Sequence, residues 1–204
     1  MTASSSGPSL ILASASPRRR ELLEQIGLSF QIQPVAIDET PHEGEAADLY
    51  VLRMAREKAL ACQGVQSAAN ALVLGADTSV VLNGSIMGKP QDRQEARAML
   101  EGLAGRRHQV MTGVALAGGD AVRERVVSTA VAFRRLSEPE IEAYLATDEP
   151  WDKAGAYGIQ GRGGIFVERI EGSYSAVVGL PLEATADLLA QSGQPVWNLW
   201  RSYE

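Results

Sequence analysis

The sequence predicts an α/β fold with a mixed β-sheet, and three observations support this prediction. Short apolar strand segments alternate with amphipathic helices along the chain, which favours the α/β class. Two long strand segments flank a short turn at residues 118–120, so we expect an antiparallel pair within the sheet. Because 45% of the 204 residues are apolar, the chain can bury a substantial core. We expect one compact unit of two lobes.

The first strand and the first helix have clear signals at their ends. Leu10–Ala13 is a short apolar strand, Ser16 is a good helix N-cap, and Pro17 fits the first helical position. Gly27 stands where the helix should stop. The alternating residues that follow indicate a second strand, which runs into an acidic, turn-rich loop.

A second helix is predicted from Glu45 to about Gly64. Its apolar residues form one stripe at helical spacing: Leu49, Leu52, Ala55, Ala59 and Cys62. Arg56 and Lys58 lie off this stripe, and we expect them to face solvent or a cleft.

The middle of the chain predicts two strands, a hairpin and a helix. A buried apolar strand ends at Asp77, a second strand follows, and Asn83-Gly84 favours a two-residue hairpin turn. The next helix ends near Gly105. Its apolar positions have the spacing of one helical face: Ala96, Met99, Leu100 and Leu103.

The last third contains a capped helix and a glycine-rich segment. Ser137 and Glu140 form a capping box. The irregular stretch 152–164 leads into a strand at about 164–170. The apolar run before Pro181 indicates another strand, and a terminal helix follows the proline. By this interpretation residues 1–9 are a flexible leader, 10–194 a single domain and 195–204 a tail.

Composition excludes several classes of protein. A net charge of −6 argues against a general nucleic-acid binder, so any anion site must be local. The single cysteine, Cys62, cannot form an internal disulfide, which favours a reducing, cytoplasmic setting. Apolar runs are too short for a signal-peptide core or a membrane span, so we expect no membrane partner.

Several catalytic motifs are missing from the sequence. With only His42 and His108, there is no zinc-binding HExxH or Cys/His cluster, so any metal would be held by carboxylates. There is no G-x-S-x-G, and we interpret both histidines as ordinary surface or loop residues. "GSIMGKP" around Lys89 lacks the Ser or Thr of a P-loop.

The charges at the start of the first helix are unusual. A helix N-terminus carries partial positive charge and favours acidic side chains, yet Arg18, Arg19 and Arg20 stand there. These arginines either form a solvent-exposed face of the helix or bind an anion. Asp77 is harder to dismiss, because ligands in α/β folds gather at the carboxyl ends of strands.

Cations and carboxylates in combination indicate a polyphosphate bound with a divalent metal. Taken singly, each residue also has an ordinary interpretation as a solvated charge, and the glycines of 155–164 could serve turn geometry alone. The candidates are the cations Arg18, Arg19, Lys58, Lys89 and Lys153 and the acids Asp38, Glu39, Asp77 and Asp152.

The motifs together resemble one family, the Maf proteins, which are nucleoside triphosphate pyrophosphatases first described as septum-formation inhibitors. The resemblance covers about Leu10 to Leu189 and rests on "LASASPRRRELL", "REKA", "LGADTSVVLNGSIMGKP", "HQVMTGVAL" and "DKAGAYGIQGRGGIFVERIEGSYSAVVGLPL". It implies an extended mixed β-sheet flanked by helices, with a central cleft between two lobes, related to the inosine triphosphate pyrophosphatases. "GADT" and "DKAGAYGIQG" resemble the dTTP/UTP branch rather than the 7-methyl-GTP branch.

The resemblance also implies roles for residues. Asp77 matches the catalytic proton acceptor and, with Glu39, is expected to bind Mg²⁺ or Mn²⁺ that the protein does not cage alone. The residues matched to base specificity are Arg18, Thr78 and Gln160, and those matched to the remaining polar residues of the cleft are Ser14, Arg19, Glu39, Lys58 and Lys89. Of the latter, we expect Ser14, Arg19, Lys58 and Lys89 to bind the phosphates. A homodimer is the state that the family implies. Gly88 departs from the acidic residue common at that position.

Three functions stay open at this point. The first is hydrolysis of dTTP and UTP to the monophosphate and pyrophosphate, and the second is the same chemistry on 7-methyl-GTP. The third is a non-catalytic nucleotide-binding regulator of cell division. A binder needs the arginines but has no evident use for Asp77, so the sequence favours an enzyme.

Overall fold

The computed structural model describes residues 9–65 and 71–203. Within these ranges the chain forms a seven-stranded sheet with the strand order β2-β1-β3-β5-β6-β7, and the short β4 pairs with β3. β1 runs parallel to β2 and β3, and the remaining pairs are antiparallel. The predicted mixed α/β sheet is therefore confirmed.

Helices cover both faces of this sheet. The strands are β1 Leu10–Leu12, β2 Phe30–Ile32, β3 Leu72–Leu82, β4 Ser85–Met87, β5 Arg107–Gly118, β6 Ala121–Phe133 and β7 Val167–Glu171. The helices are α1 Pro17–Gln25, α2 Ala47–Val65, α3 Arg93–Leu103, α4 Glu138–Leu145, α5 Tyr174–Val178 and α6 Leu182–Gln191. Short 3₁₀ turns lie at Pro150–Asp152, Ala154–Ala156, Arg162–Phe166 and Val196–Tyr203. None of the helices in the described ranges has the length and apolar character of a membrane span.

Helix α2 lies unusually close to the sheet because two glycines face it. A Cβ on Gly75 would lie 2.2 Å from the Ala55 carbonyl oxygen, and one on Gly113 would lie 2.2 Å from the Val51 carbonyl oxygen. No side chain fits in that space, so the two glycines set how closely α2 approaches β3 and β5. This close packing carries Lys58 of α2 to the middle of β3.

Several local predictions are confirmed. The apolar face of α3 is fully buried, as expected from its spacing. Asn83 and Gly84 both have positive φ, 51° and 84°, as the predicted two-residue hairpin turn between β3 and β4 requires. The Ser137–Glu140 capping box is present at the start of α4.

The expectation that Asp77 ends a strand is wrong. β3 continues without a break from Leu72 to Leu82, so Asp77 lies in its middle, paired in register with Gly113 of β5. The strand that ends here is the neighbour β1, at Leu12. The sequence pattern could not reveal this, because Asp77 interrupts the apolar run as a loop would, while β5 pairs along β3 from Val73 to Val81.

Three further boundaries differ from the sequence analysis. In α2, Ala55, Ala59 and Cys62 of the predicted stripe are buried as expected, but Leu49 is 58% exposed. The buried face also includes Val51, Met54 and Lys58, which the spacing did not predict. The apolar run before Pro181 is not a strand but belongs to α5, where the Ser173 side chain caps the helix by accepting from the Ala176 N–H. The strand predicted at about 164–170 begins later, at Val167.

His108 is also placed differently from the prediction. It lies on β5 with 2% of its surface exposed, in an aromatic cluster with Phe133 and Tyr157, rather than at the surface or in a loop. His42 is exposed, as expected. Of the predicted leader, residues 1–8 lie outside the described ranges. In the tail, Val196 is buried and the Trp200 indole N–H donates to the Ile26 carbonyl oxygen at 3.0 Å.

Candidate active site

A gap in the sheet beside β3 forms the floor of a cleft of about 880 Å³. On this edge of β3, β1 pairs with residues 72–74 and β4 pairs with residues 80–82, so 75–79 lie between the two partner strands. Side chains alternate along a strand, and the cleft therefore reaches both faces of the sheet here. Every residue to which the sequence analysis assigned a role lines it: Ser14, Arg18, Arg19, Glu39, Lys58, Asp77, Thr78, Lys89 and Gln160.

On one face of the sheet, Lys58 joins two carboxylates. Its Nζ lies 2.7 Å from Asp77 Oδ1 and 2.7 Å from Glu39 Oε1. The side chains of Lys58 and Asp77 are only 11% and 14% exposed, so this pair is largely withdrawn from water. Burial disfavours the Glu39 carboxylate, but the Lys58 hydrogen bond and the charges of Lys58, Lys89 and Arg19 hold its pKa below the ordinary value. Glu39 is thus kept ionised.

Tyr50 fixes the loop that carries Glu39. Its hydroxyl donates to the Glu39 carbonyl oxygen at 2.8 Å, from one turn of α2 that faces the cleft. Burial, together with the charges of Asp77 and Glu39, raises the pKa of Tyr50 to about 12. The hydroxyl therefore keeps its proton at neutral pH and remains a donor to this loop.

On the opposite face, Arg19 makes a set of contacts at the cleft wall. Its guanidinium donates to the Gly179 carbonyl oxygen at 2.9 Å, to Ser14 Oγ at 3.1 Å and to Thr78 Oγ1 at 3.4 Å. Burial lowers the pKa of Arg19, and the negative charge of Asp77 opposes that shift. A part-buried guanidinium held only by neutral oxygens can bind an anion.

The hydroxyl of Thr78 has a fixed direction. Thr112, which is fully buried, donates its hydroxyl proton to the Ala176 carbonyl oxygen at 2.7 Å. The 3.0 Å contact between Thr78 Oγ1 and Thr112 Oγ1 must then be donated by Thr78. Because the Thr78 proton is used in this way, its oxygen can only accept a hydrogen bond from the cleft.

The three arginines of α1 have different environments. Arg18 forms an ion pair across the cleft with Asp152 at 3.3 Å, and Lys153 bonds the same carboxylate at 2.5 Å. Burial opposes ionisation of Asp152, yet these two cations hold its pKa below the ordinary value. Arg20 is exposed and pairs with Glu24 one turn along α1 at 3.6 Å, as a solvated residue would.

Lys89 and Gln160 lie at the rim of the cleft, and both are exposed. Lys89 follows β4, and Gln160 belongs to the glycine-rich segment 158–163. Asp38, the remaining acidic candidate, is exposed and bonds the Thr40 N–H of its own loop at 2.9 Å, and it is not among the lining residues.

Sequence reasoning missed four residues that shape the site: Tyr50, Thr112, Glu149 and Tyr157. Tyr50 and Tyr157 line the cleft, Thr112 supports Thr78, and Glu149 bonds the glycine-rich segment. A threonine within an apolar strand segment is a sequence signal that could have indicated Thr112. The others become visible only when distant segments meet.

The carboxylates of Glu39 and Asp77 fit a divalent cation as part of its ligand set. Both point to one position, now taken by the Lys58 ammonium, and hard oxygens suit Mg²⁺ or Mn²⁺. In the described part of the chain, no group of three or more His, Cys, Asp or Glu side chains could hold a metal ion. Substrate oxygens and water would have to complete the coordination.

The fold and cleft together define an α/β protein with a cationic pocket beside a carboxylate, Asp77, whose side chain is 14% exposed. The chain is similar in fold to a solved structure of a HAM1 protein from Coxiella burnetii, with a TM-score of 0.51 and 16% identity over 90% of this chain and 99% of that one. That likeness concerns the fold alone.

The sequence comparisons define the family. Residues 9–192 match the profile of the Maf-like proteins, and the chain belongs to this family. It is 54% identical over 195 residues to a protein of Anaeromyxobacter sp. (strain Fw109-5) named dTTP/UTP pyrophosphatase, covering 93% of this chain and 92% of that one. It is 56% identical over 182 residues to a protein of the same name from Pectobacterium atrosepticum, covering 89% and 91%.

Proposed function

We propose that this protein is a nucleoside triphosphate pyrophosphatase that cleaves dTTP and UTP to the monophosphate and pyrophosphate. The observation that carries the proposal is the Asp77–Lys58–Glu39 group, in which the Lys58–Asp77 pair is largely withdrawn from water and which shares one cleft with the part-buried guanidinium of Arg19. The names of relatives at 54% and 56% identity support the substrate.

Asp77 acts as the general base in this proposal. Lys58 occupies one carboxylate oxygen of Asp77, which leaves the second oxygen to accept a proton from the attacking water. The water oxygen bonds to phosphorus as the phosphoanhydride P–O bond breaks, and pyrophosphate leaves. Positioned proton transfer of this kind contributes about 10²–10⁴-fold to the rate.

The cations stabilise the charge that develops on the leaving pyrophosphate. Arg19 and Lys58 approach the cleft from opposite faces of the sheet, and Lys89 lies at its rim. Ser14, whose Oγ is bonded by Arg19 and by the Ser16 N–H, aligns the guanidinium. A divalent metal held by Glu39, Asp77 and phosphate oxygens would add Lewis-acid polarisation of the phosphate.

Thr78 and Gln160 read the base. Thr78 offers only an acceptor, because its proton is used by Thr112. Uracil and thymine each carry a single ring donor, the N3–H, and Thr78 matches it. The Gln160 amide can both donate and accept, which suits the neighbouring carbonyl oxygens.

One experiment tests this proposal against its alternatives. The purified protein is incubated with Mg²⁺ or Mn²⁺ and with dTTP, UTP, CTP, GTP, ATP and 7-methyl-GTP, and pyrophosphate release is measured. We expect release from dTTP and UTP above the others. Release mainly from 7-methyl-GTP would reassign the base, and release from none would favour a nucleotide-binding regulator of cell division.

The oligomeric state and the location of the protein are part of the same proposal. We expect a homodimer in the cytoplasm, acting on free nucleotides without a nucleic-acid or membrane partner. Sedimentation equilibrium of the full chain measures the mass directly, and a value near 21.8 kDa, that of one chain, would contradict the dimer.

A further inference from the structure

The glycine-rich segment 158–163 is held in place by a carboxylate outside the cleft. Glu149 Oε2 accepts from the Arg162 N–H at 2.8 Å, and Glu149 Oε1 accepts from the Gly163 N–H at 3.0 Å. Glu149 is not among the lining residues, and no step of the proposed reaction uses it. It nevertheless bonds the backbone two and three residues after Gln160, the residue predicted to read the base.

A second bond connects the start of the segment to the same carboxylate. The Tyr144 hydroxyl donates to Glu149 Oε1 at 2.9 Å and accepts from the Gly158 N–H at 3.2 Å. Glu149 and Tyr144 thus hold the segment on both sides of Gln160. Tyr144 is buried in α4 against Phe166, which gives this anchor a fixed base.

The glycines of the segment are needed for this close approach. A Cβ on Gly161 would lie 2.4 Å from the Glu149 carboxylate, and one on Gly163 would lie 2.9 Å from the Tyr144 hydroxyl. Neither residue has the left-handed backbone that favours glycine. The spacing of glycines therefore serves contact with Glu149 rather than turn geometry alone.

Charge also favours a permanent anchor. Burial opposes ionisation of Glu149, but the Gly163 and Arg162 N–H groups, the Tyr144 hydroxyl and the charge of Lys153 hold its pKa below the ordinary value. An ionised carboxylate accepts several hydrogen bonds at once, whereas an amide in its place would direct an NH₂ group at one of the backbone donors.

We infer that Glu149 is a positioning residue for base selection, acting through the backbone of 158–163 on Gln160. The inference rests on the proposed function, because it assigns the reading of the base to Gln160. Since the phosphate contacts and Asp77 lie on other elements, loss of the anchor should affect recognition of the base more than the chemical step.

The test compares Glu149→Gln with wild type on UTP, dTTP and CTP. We expect the KM for UTP to rise about tenfold, kcat to change less than about threefold, and the preference for UTP over CTP to fall about tenfold. Glu142→Gln is the matched control, because Glu142 lies on α4 and bonds Arg93 and Arg97 away from the cleft. It should keep the wild-type preference.

Two results would overturn the inference. One is a folded Glu149→Gln protein that keeps the wild-type preference among bases, and the other is an equal loss of kcat on all three substrates. Where Glu149→Gln does not fold, as judged by thermal melting, Tyr144→Phe takes its place, because it removes only the hydroxyl that links Glu149 to Gly158. It should lower the preference about threefold, and an unchanged preference contradicts the inference.

Wild type separately tests the proposed function. If wild type prefers a different nucleotide, the substrate assignment fails, while the loss of that preference in Glu149→Gln still measures the anchor.

Discussion

The two walls of the cleft are built in different ways. On one wall, charged side chains stand on regular elements: Asp77 on β3, Lys58 on α2 and Arg19 on α1. On the other, residues 149–163 follow short 3₁₀ turns, and the glycine-rich segment 158–163 is held by backbone hydrogen bonds to the Glu149 carboxylate and the Tyr144 hydroxyl.

The difference suggests a division of work. Reactive charges need fixed distances, and strands and helices with a packed core supply them. A segment that reads the base must fit one ligand and reject others, and an irregular loop allows that shape. Variants of the first wall should therefore change turnover, and variants of the second should change selectivity.

The largest effect is expected for Asp77→Asn on the first wall. The amide is nearly isosteric but a poor base, so kcat should fall about 10³-fold while nucleotide binding stays measurable. Pyrophosphate release and calorimetric titration with UTP measure the two quantities. Asp120→Asn, in the exposed turn between β5 and β6, is the control. Near-normal turnover in Asp77→Asn would refute the assignment of the base.

The next effect is expected for Arg19→Ala. Loss of a part-buried guanidinium that contacts Ser14 and Thr78 should raise KM and lower kcat together, reducing kcat/KM about 10²-fold. Arg20→Ala is a closely matched control, because Arg20 is the next residue of α1 and is exposed. An unchanged kcat/KM in Arg19→Ala would mean that both arginines are solvated charges.

A third effect concerns the pH dependence of stability and involves His108, which lies behind the second wall of the cleft. His108 Nε2 bonds the Tyr157 hydroxyl at 2.9 Å, Tyr157 lines the cleft, and among the described residues His108 Nδ1 has no partner. Burial lowers the pKa of His108 to about 4. In the unfolded chain His108 has its ordinary pKa of about 6.5 and binds a proton below that pH, whereas in the folded protein it stays neutral down to about pH 4. The free energy of unfolding therefore decreases as the pH is lowered, by about 2 kcal/mol between pH 6.5 and pH 5.

Urea unfolding of His108→Gln at these two pH values tests this assignment. The amide can keep the bond to Tyr157 without titrating, so the free energy of unfolding should depend less on pH than in wild type. His42→Gln, at the exposed histidine, should behave as wild type. An unchanged pH dependence in His108→Gln would exclude His108 as its source.

The smallest effect is expected for Thr112→Val. Without the Thr112 hydroxyl, Thr78 is free to donate as well as accept, and the preference for UTP over 3-methyl-UTP, which lacks the N3–H, should fall about tenfold. Thr185→Val is the control, since Thr185 is also buried and, in the described part of the chain, its hydroxyl has no partner. A full wild-type preference in Thr112→Val would leave Thr78 without a role in reading N3–H.

The sequence by itself determined the local structure and the residue set of the cleft. Caps, hairpin turn and helical spacing depend on neighbours along the chain, so α1, α3, α4 and the β3–β4 hairpin could be predicted. The nine residues of the predicted site line one cleft. The sequence could identify them because its motifs resemble those of the family. Their roles stay predictions.

Only the tertiary structure decided how those residues meet. Asp77 lies within a strand rather than at its end because β5 pairs along nearly the whole of β3. Lys58 reaches Asp77 because Gly75 and Gly113 let α2 approach the sheet. Burial, the direction of a hydroxyl proton and the anchoring of a loop by Glu149 depend on segments far apart in the chain, and no local pattern encodes such contacts.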